Sequence, residues 1–518
     1  MWRAPLYLLM SRDINQLHVG AECTVNARSI ANDGSCVCDL DGFVVFTRGV
    51  LPGERARVRI IDLRASYAKA DLLKICEYSA DRVAPACRYF GICGGCDLMH
   101  MSYTAELEYK RRLVAEAFGR IAGLKDICVK PVKGVYNRDK TDFLPRYRNK
   151  GQYKYSGNGF GFYKTGSHDF VAVDDCLLQK NHNAAILKII AEWAAGSRSD
   201  NFIISDVSIR TSEASGEIMA IINCRSFADT DMRLIGRRGI ESVFSGFPDV
   251  LKSRIPGLKS IVVNNTSFHG HADRSRAERD NADRSRTARE NANSIRTDRE
   301  NAYHARVTYV RAESDFAGKR SFILYGDGAI NEMLGHYTFR VSHEAFFQVN
   351  TKAAGILYET IMELADIKPD ENALDFYCGA GTISAYLAGA AKTVTGVDAS
   401  ADAIADAREN TAKNKLTNLE FIKGNAEEAA YSFLRDGVRP DLIVLDPPRR
   451  GCPTPLLKSI DKLNASRIIY VSCDPATLCR DISRLTSDGG GYAVASVRPI
   501  DMFPRTANIE TAVLLTRK

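Results

Sequence analysis

The chain predicts an α/β protein: a Rossmann-like, doubly wound parallel sheet at the C-terminus, preceded by a small β-barrel and a central α+β region. Three patterns point there. From about residue 346, short apolar runs alternate with helical stretches of about 10 to 20 residues, the mark of βαβ units. Between about residues 17 and 77 the runs are shorter, alternate apolar with polar and are separated by turn sequences. Between these regions lies a cysteine-rich loop, Cys87 to Cys96, and then mixed α and β patterning.

A chain of 518 residues exceeds one typical domain. The natural divisions are 14–78, 79–345 and 346–518. With 45% hydrophobic and 26% charged residues the composition is that of a globular protein, and no run approaches the roughly 18 apolar residues of a membrane helix. Leu6 to Met10 is apolar but too short for a secretory leader, so a cytoplasmic monomer with no membrane partner is expected. A net charge of +7 permits an anionic partner and would suit a small-molecule enzyme equally. Fourteen cysteines without an export signal point to metal ligation or thiol chemistry, because cytosolic thiols stay reduced.

In the barrel, candidate strands are Ala21 to Ala27, Gly42 to Val45, Ala56 to Leu63 and Ala68 to Ile75. Asn32-Asp33-Gly34 and Leu51-Pro52-Gly53 supply the turns between them. Five-stranded barrels of this size often bind oligonucleotides, and the same shape also serves as a purely structural unit. After the cysteine-rich loop, Tyr103 to Ile121 reads as a helix. The insertion at 270–304 contains a decapeptide repeated three times over residues 272–301, with eight Arg against seven acidic residues and one large apolar side chain, Ile295. It has nothing to bury, so it is expected to be an exposed helix or a disordered segment, with an RNA-touching arm as the other reading.

The C-terminal runs are Ala373 to Tyr377, Thr393 to Val397, Leu419 to Ile422, Leu442 to Leu445, Ile468 to Val471 and Tyr492 to Val497. Open parallel sheets bind ligands beyond the carboxyl ends of their strands, so the residues after each run are the candidates. After the first comes Gly379-Ala380-Gly381, where glycines let the backbone approach a ligand. Ser384 stands where a dinucleotide fingerprint wants its third glycine. Asp398 ends the second run, placed to accept from both hydroxyls of a ribose, and Asn425 follows the third, where a polar side chain meets an adenine edge. The fourth ends in Asp446-Pro447-Pro448, whose prolines fix φ and remove two donors, holding Asp446 at the mouth of the site. Alone, such a tripeptide is also a plain strand-terminating turn.

Cys473 follows the fifth run, hemmed by Ser472, Asp474 and Pro475 rather than by core side chains. A uracil ring explains a thiol there: carbon 5 is too weak a nucleophile to take a sulfonium methyl until a thiolate adds at carbon 6. A base must then remove the extra proton from carbon 5, and Glu510 in the last strand is the candidate.

Together, Phe347-Gln348-Val349-Asn350, Asp375 to Gly381, Asp446-Pro447-Pro448-Arg449, Ser472-Cys473-Asp474-Pro475 and Met502-Phe503-Pro504 followed by Ile509-Glu510-Thr511 resemble, in order, the motifs of the RNA uracil-5 methyltransferases. The resemblance implies an S-adenosylmethionine methyltransferase domain in which Gln348, Tyr377, Asp398 and Asp446 contact the methyl donor, Cys473 is the nucleophile and Glu510 the proton acceptor. It implies methylation of carbon 5 of a uridine in structured RNA, ribosomal RNA first, with the same chemistry on transfer RNA as the alternative. Amino-group methylation of adenine, with Asp446 as the amine acceptor, and an RNA-binding module without catalysis are the other readings. The barrel, with Leu51-Pro52-Gly53-Glu54, is similar to RNA-binding TRAM domains, and the cations of Tyr147-Arg148-Asn149-Lys150 suit phosphate contact. Where this family usually carries histidine two residues before the glutamate, this chain has Asn508.

Cys87, Cys93, Cys96 and Cys176 are similar to the ligands of a 4Fe-4S cluster in a subset of the family. Zinc would accept the same four thiolates. Cys23, Cys36, Cys38, Cys76, Cys128 and Cys479 lack such a pattern and read as packing residues.

Overall fold

Alternating polarity curls the N-terminal segment into a closed barrel. The computed structural model describes residues 17–157, 159–196, 202–226, 237–266, 319–487 and 489–518, and the decapeptide repeats lie outside them. Among these residues β1 (Glu22–Ile30), β2 (Cys36–Leu40), β3 (Phe43–Thr47), β4 (Arg55–Leu63) and β5 (Tyr67–Glu77) close in the order β1-β2-β3-β5-β4. In β4, Ala56, Val58 and Ile60 turn inward while Arg55, Arg57 and Arg59 face solvent. The pattern of apolar residues does not announce β2, because its inward side chains are Cys36 and Cys38, both buried and packing as small hydrophobes. Cys479 is buried too, whereas Cys76 and Cys128 are exposed, so packing does not account for those two.

The central region builds an extended sheet from β6 (Lys150–Ser156), β7 (Gly159–Tyr163), β8 (Phe170–Ala172), β9 (Phe202–Thr211), β10 (Ile218–Ser226), β11 (Leu258–Thr266) and β12 (Lys319–Tyr325), in the order β12-β11-β10-β9-β6-β7-β8. Helices α2 (His182–Gly196), α3 (Arg237–Val243) and α4 (Phe247–Arg254) cover one face through Ile186, Ile190, Phe244, Phe247 and Leu251. From the other face Met219, Ile221 and Val262 join the core of the C-terminal half, together with the hairpin β13 (Ala329–Leu334) and β14 (Tyr337–Ser342).

The C-terminal half contains α5 (Thr351–Ala365), β15 (Asn372–Phe376), α6 (Thr382–Ala388), β16 (Thr393–Asp398), α7 (Ala401–Lys413), β17 (Leu419–Lys423) and α8 (Ala426–Arg435). It continues with β18 (Leu442–Leu445), α9 (Thr454–Leu463), β19 (Arg467–Ser472), α10 (Pro475–Thr486), β20 (Tyr492–Ile500) and β21 (Glu510–Arg517). The sheet order is β17-β16-β15-β18-β19-β21-β20. Neighbours from β17 to β19 are parallel, and β21 is inserted antiparallel between β19 and β20. Tyr492 to Val497, which reads in sequence like one more member of the parallel series, therefore lies at the edge of the sheet, joined to it through the reversed β21.

Residues 103–133 belong physically to this C-terminal core. In α1 (Tyr103–Arg120), capped by the Ser102 hydroxyl, Leu113, Val114 and Phe118 pack with β18, β19 and α10 side chains such as Leu445, Tyr470 and Leu478. Beyond it Val129 and Lys133 form bridges to Val497 and Ile500 on the free edge of β20, covering an edge that would otherwise invite pairing with another chain.

A buried ion cluster fastens this joint. Lys110 Nζ lies 2.8 Å from Glu106 Oε1 and 2.7 Å from Asp501 Oδ1, and all three side chains are sealed from solvent. Tyr103 donates its hydroxyl to Asp501 Oδ2 at 2.8 Å, and Arg505 pairs with Glu106 and Asp142 while its amide donates to Glu106 Oε1 at 2.7 Å. Burial pushes the Glu106 carboxyl up to about 7, against the pull of Lys110. The Lys110→Met variant strands two carboxylates with Arg505 as their remaining cation. It is expected to lose about 3 to 5 kcal/mol, read as a lower midpoint in urea unfolding followed by circular dichroism.

Candidate active site

Strand pairing brings the catalytic candidates together. Phe376 pairs with Leu445 and Leu445 with Tyr470 across β15, β18 and β19, so the segments leaving these strands emerge at one sheet edge. Across the antiparallel pair of β19 and β21, Ser472 stands opposite Thr511. Cys473 and Glu510 are the next residues beyond that pair, and Glu510, with Asp446 just after β18, acts electrostatically on the Cys473 thiol.

Cys473 is half-buried, and its thiol is pushed up to about 11 by desolvation, then by the carboxyl of Glu510 and, more weakly, Asp446. The Arg449 guanidinium opposes them, favouring the thiolate. Glu510 is 4% exposed, and burial followed by Asp446 holds its carboxyl well above the ordinary range. Burial raises Asp446 to about 7. Tyr358, close to both carboxyls, shares a 3.1 Å hydrogen bond with Thr382.

The loop 446–452 is held from below by Asp481 of α10, itself without exposure. Its Oδ2 accepts from the Cys452 amide at 2.8 Å and from the Tyr470 hydroxyl at 2.7 Å. Arg480 donates to the Arg450 carbonyl at 2.9 Å. Gly451 sits at φ +75°, and a Cβ there would lie 2.4 Å from Asp481 Oδ2, so glycine is required on two counts. Sequence reasoning assigned no role to Arg449, Tyr358 or Asp481. Arg449 stood inside the proline motif, while nothing in the pattern marks the other two.

The ends of β15 and β16 form a rigid cradle. Gly379, at φ +55°, donates its amide to Asp398 Oδ2 at 3.0 Å, and the Ser400 amide donates to Oδ1 at 2.8 Å. Tyr377 holds the left-handed φ of 65°, a strained value for a residue with a Cβ and one that clusters at ligand sites. Ser384, in place of a third glycine, donates to the buried Asp375, whose carboxyl burial raises to about 7. Gln348 is 7% exposed, and its carbonyl accepts from Asn149 at 2.9 Å. Asn350 caps α5 and donates to the Met502 carbonyl at 3.2 Å. Asn425 is exposed and caps α8 by accepting from the Glu427 amide at 3.1 Å, so its oxygen already has a local partner.

Cys87, Cys93, Cys96 and Cys176 line one cavity of about 100 Å³ with Arg148, Phe90, Phe162 and Leu178. Desolvation raises the thiols of Cys93, Cys96 and Cys176, while Arg148 favours ionisation of Cys96 and Cys176. Arg148 is thus turned to this cavity rather than to a phosphate-binding surface. Thiols beside a guanidinium suit a thiolate-ligated centre in kind of donor, but lining one cavity does not draw them into a ligand set. Among the described residues, no three of His, Cys, Asp and Glu stand together as a group able to hold one metal ion. Nor is any described helix long and apolar enough to cross a membrane.

Residues 328–518 match the family model for tRNA (uracil-5-)-methyltransferases, and residues 17–73 that for the TRAM domain. The chain is 33% identical to an uncharacterized RNA methyltransferase of Bacillus cereus over 94% of its own length and 95% of that protein. It is 31% identical to another from Caldanaerobacter subterraneus, over 97% and 100%. The fold is similar to that of the tRNA (uracil-54, C5)-methyltransferase of Pyrococcus abyssi, solved with S-adenosyl-L-homocysteine, with a TM-score of 0.65 at 21% identity over 95% of this chain and 100% of that one.

The environment of Cys473 has a measurable consequence. Its labelling by iodoacetamide, followed on the Cys473 peptide by mass spectrometry, is expected to climb about tenfold per pH unit without levelling below pH 10. An ordinary thiol levels near 9. A plateau below 9 would contradict the geometry described.

Proposed function

This chain belongs to the tRNA (uracil-5-)-methyltransferase family and is an RNA methyltransferase, and from that premise we propose that it methylates carbon 5 of a uridine with S-adenosylmethionine, using Cys473 as nucleophile and Glu510 as base. The observation that supports the reading is that Cys473 and Glu510 follow directly on the paired Ser472 and Thr511 and interact with each other and with Asp446.

S-adenosylmethionine supplies an electrophilic methyl group on a sulfonium. The Cys473 thiolate adds to carbon 6, and the electron pair of the ring double bond moves toward the carbonyl as an enolate. Carbon 5 of that enolate takes the methyl group with the pair it carries. Glu510 then accepts the proton left on carbon 5, the sulfur–carbon bond breaks, and Cys473 departs as thiolate. Burial makes an ionised Glu510 a stronger base than a surface carboxylate, which suits removal of a carbon-bound proton. In this reading Asp398, fixed by the amides of Gly379 and Ser400, would accept from a ribose, and Gln348, Tyr377, Gly379, Asn425 and Asp446 would complete the donor site.

The three-part division at 14–78, 79–345 and 346–518 belongs to the same reading, with barrel and central region docking structured RNA and the enzyme acting as a cytoplasmic monomer. The four-cysteine cavity, resembling the cluster-bearing members, supports a ribosomal rather than a transfer RNA as target. Cys87, Cys93, Cys96 and Cys176 would hold a 4Fe-4S cluster, zinc being the alternative. The methyl transfer moves no net electrons, so such a centre acts as a staple. Cys96 lies next to Asp97, whose amide donates to the Arg505 carbonyl at 2.9 Å, so the staple grips the segment that leads to Glu510.

Two outcomes are expected. RNA containing 5-fluorouridine, incubated with protein and methyl donor, forms an adduct that survives denaturation, because fluorine cannot leave as a proton. Cys473→Ala forms none, and Glu510→Gln accumulates adduct even on ordinary RNA. No wild-type adduct would leave adenine methylation as the reading, and 5-methyluridine mapped to transfer RNA would replace the ribosomal target. Separately, protein isolated without air is expected to contain about four irons and four sulfides per chain, lost in Cys96→Ser together with thermal stability. One zinc and no sulfide would displace the cluster.

A further inference from the structure

Cys473 is surrounded by the wrong sign of charge for a nucleophile. Glu510 on β21 and Asp446 on the loop after β18 both disfavour a thiolate. Against them stands the positive charge of Arg449, which favours the thiolate. The Arg449 side chain is exposed, and a free arginine at that position has many rotamers, most of them pointing away. One specific contact restrains it: Arg449 Nη2 donates to Asn508 Oδ1 at 3.3 Å. Asn508 is itself fixed, its backbone amide and its side-chain amide both donating to Thr506 Oγ1, at 3.3 and 3.4 Å. That arrangement turns the carboxamide oxygen toward the guanidinium. A carboxamide accepts from a cation at every pH, whereas an imidazole in its place would cease to accept once protonated.

The backbone beneath Arg449 is equally constrained. Pro447 and Pro448 precede it, Gly451 follows at a conformation only glycine adopts freely, and Asp481 ties down the Cys452 amide. Loop and side chain are therefore both aimed before any substrate arrives.

We propose that Arg449, held in place by Asn508, is the cation that stabilises the Cys473 thiolate and so makes this sulfur a competent nucleophile. The inference rests on the covalent mechanism above and names the group that mechanism lacked. When the thiolate adds to carbon 6 its negative charge passes to the enolate, and the guanidinium keeps its contact with Asn508. No proton is transferred by Arg449, which stays charged throughout.

The test compares the pH dependence of iodoacetamide labelling at Cys473 in the full-length wild type and in Arg449→Met, Arg449→Lys and Asn508→Leu. Labelling in Arg449→Met is expected to be about three- to tenfold slower at pH 8 and 9, tenfold corresponding to one pKa unit. Arg449→Lys should recover part of the rate by restoring charge without the fork, and Asn508→Leu should fall between wild type and Arg449→Met. Adduct formation on 5-fluorouridine RNA should slow in the same order. Circular dichroism and thermal midpoints confirm that each variant is folded. If Arg449→Met labels at the wild-type rate across the pH range while wild type still forms the adduct, this inference fails and the methylation mechanism stands. If wild type forms no adduct, the mechanism itself fails.

Discussion

The structure depends on a cluster of buried charges between α1 and the segment 501–505. Lys110, Glu106, Asp501 and Arg505 lie in a place where an unpaired ion would cost several kcal/mol, so each must find its partner for the region to fold. Hydrophobic contact alone would let α1 slide along the sheet. Directional contacts among carboxylates, ammonium and guanidinium specify one position, and the Tyr147 hydroxyl adds a further bond to the Pro504 carbonyl. The segment so fixed leads within five residues to Glu510.

That placement explains why cysteine-rich loop, central sheet and catalytic strand behave as one assembly. Asp97 and Leu98, just after Cys96, donate their amides to the Arg505 carbonyl, and the Asp97 carboxylate accepts from the Ala507 amide. Asn149 at the start of the central sheet supports the carbonyl of Gln348 and the hydroxyl of Thr351. Three remote stretches of chain thus converge on the two ends of the catalytic domain that line its site, so geometry at Glu510 is inherited from residues far away in sequence.

Electrostatics at the site runs against itself in a useful way. Three ionisable groups of acidic kind, Cys473, Glu510 and Asp446, share a poorly solvated corner, where Glu510 and Asp446 both raise Cys473 and Asp446 raises Glu510. The desolvation that hinders thiolate formation also strengthens Glu510 as a base, so the two halves of the chemistry make opposite demands on one environment. The exposed Arg449 on its stiff loop acts on both, lowering the Cys473 thiol and the Glu510 carboxyl alike.

Much of this was legible in the amino-acid order. Local periodicity determined the barrel, the alternation of strands and helices after residue 346, and the strand-end positions of Asp398, Asp446 and Cys473, because each depends on residues within about twenty positions of one another. The four cysteines singled out by spacing line one cavity, but among the described residues they do not stand together as a metal-holding group. Other features had no local trace. That β21 inserts between β19 and β20, that α1 packs into the C-terminal core, and that Arg148 faces thiols rather than phosphate are matters of pairing between segments hundreds of residues apart. Asn508 shows the difference most plainly. In sequence it is a departure from a family habit, and only the tertiary structure, by bringing the loop after β18 against the start of β21, turns its carboxamide into the acceptor that holds Arg449 beside the nucleophile.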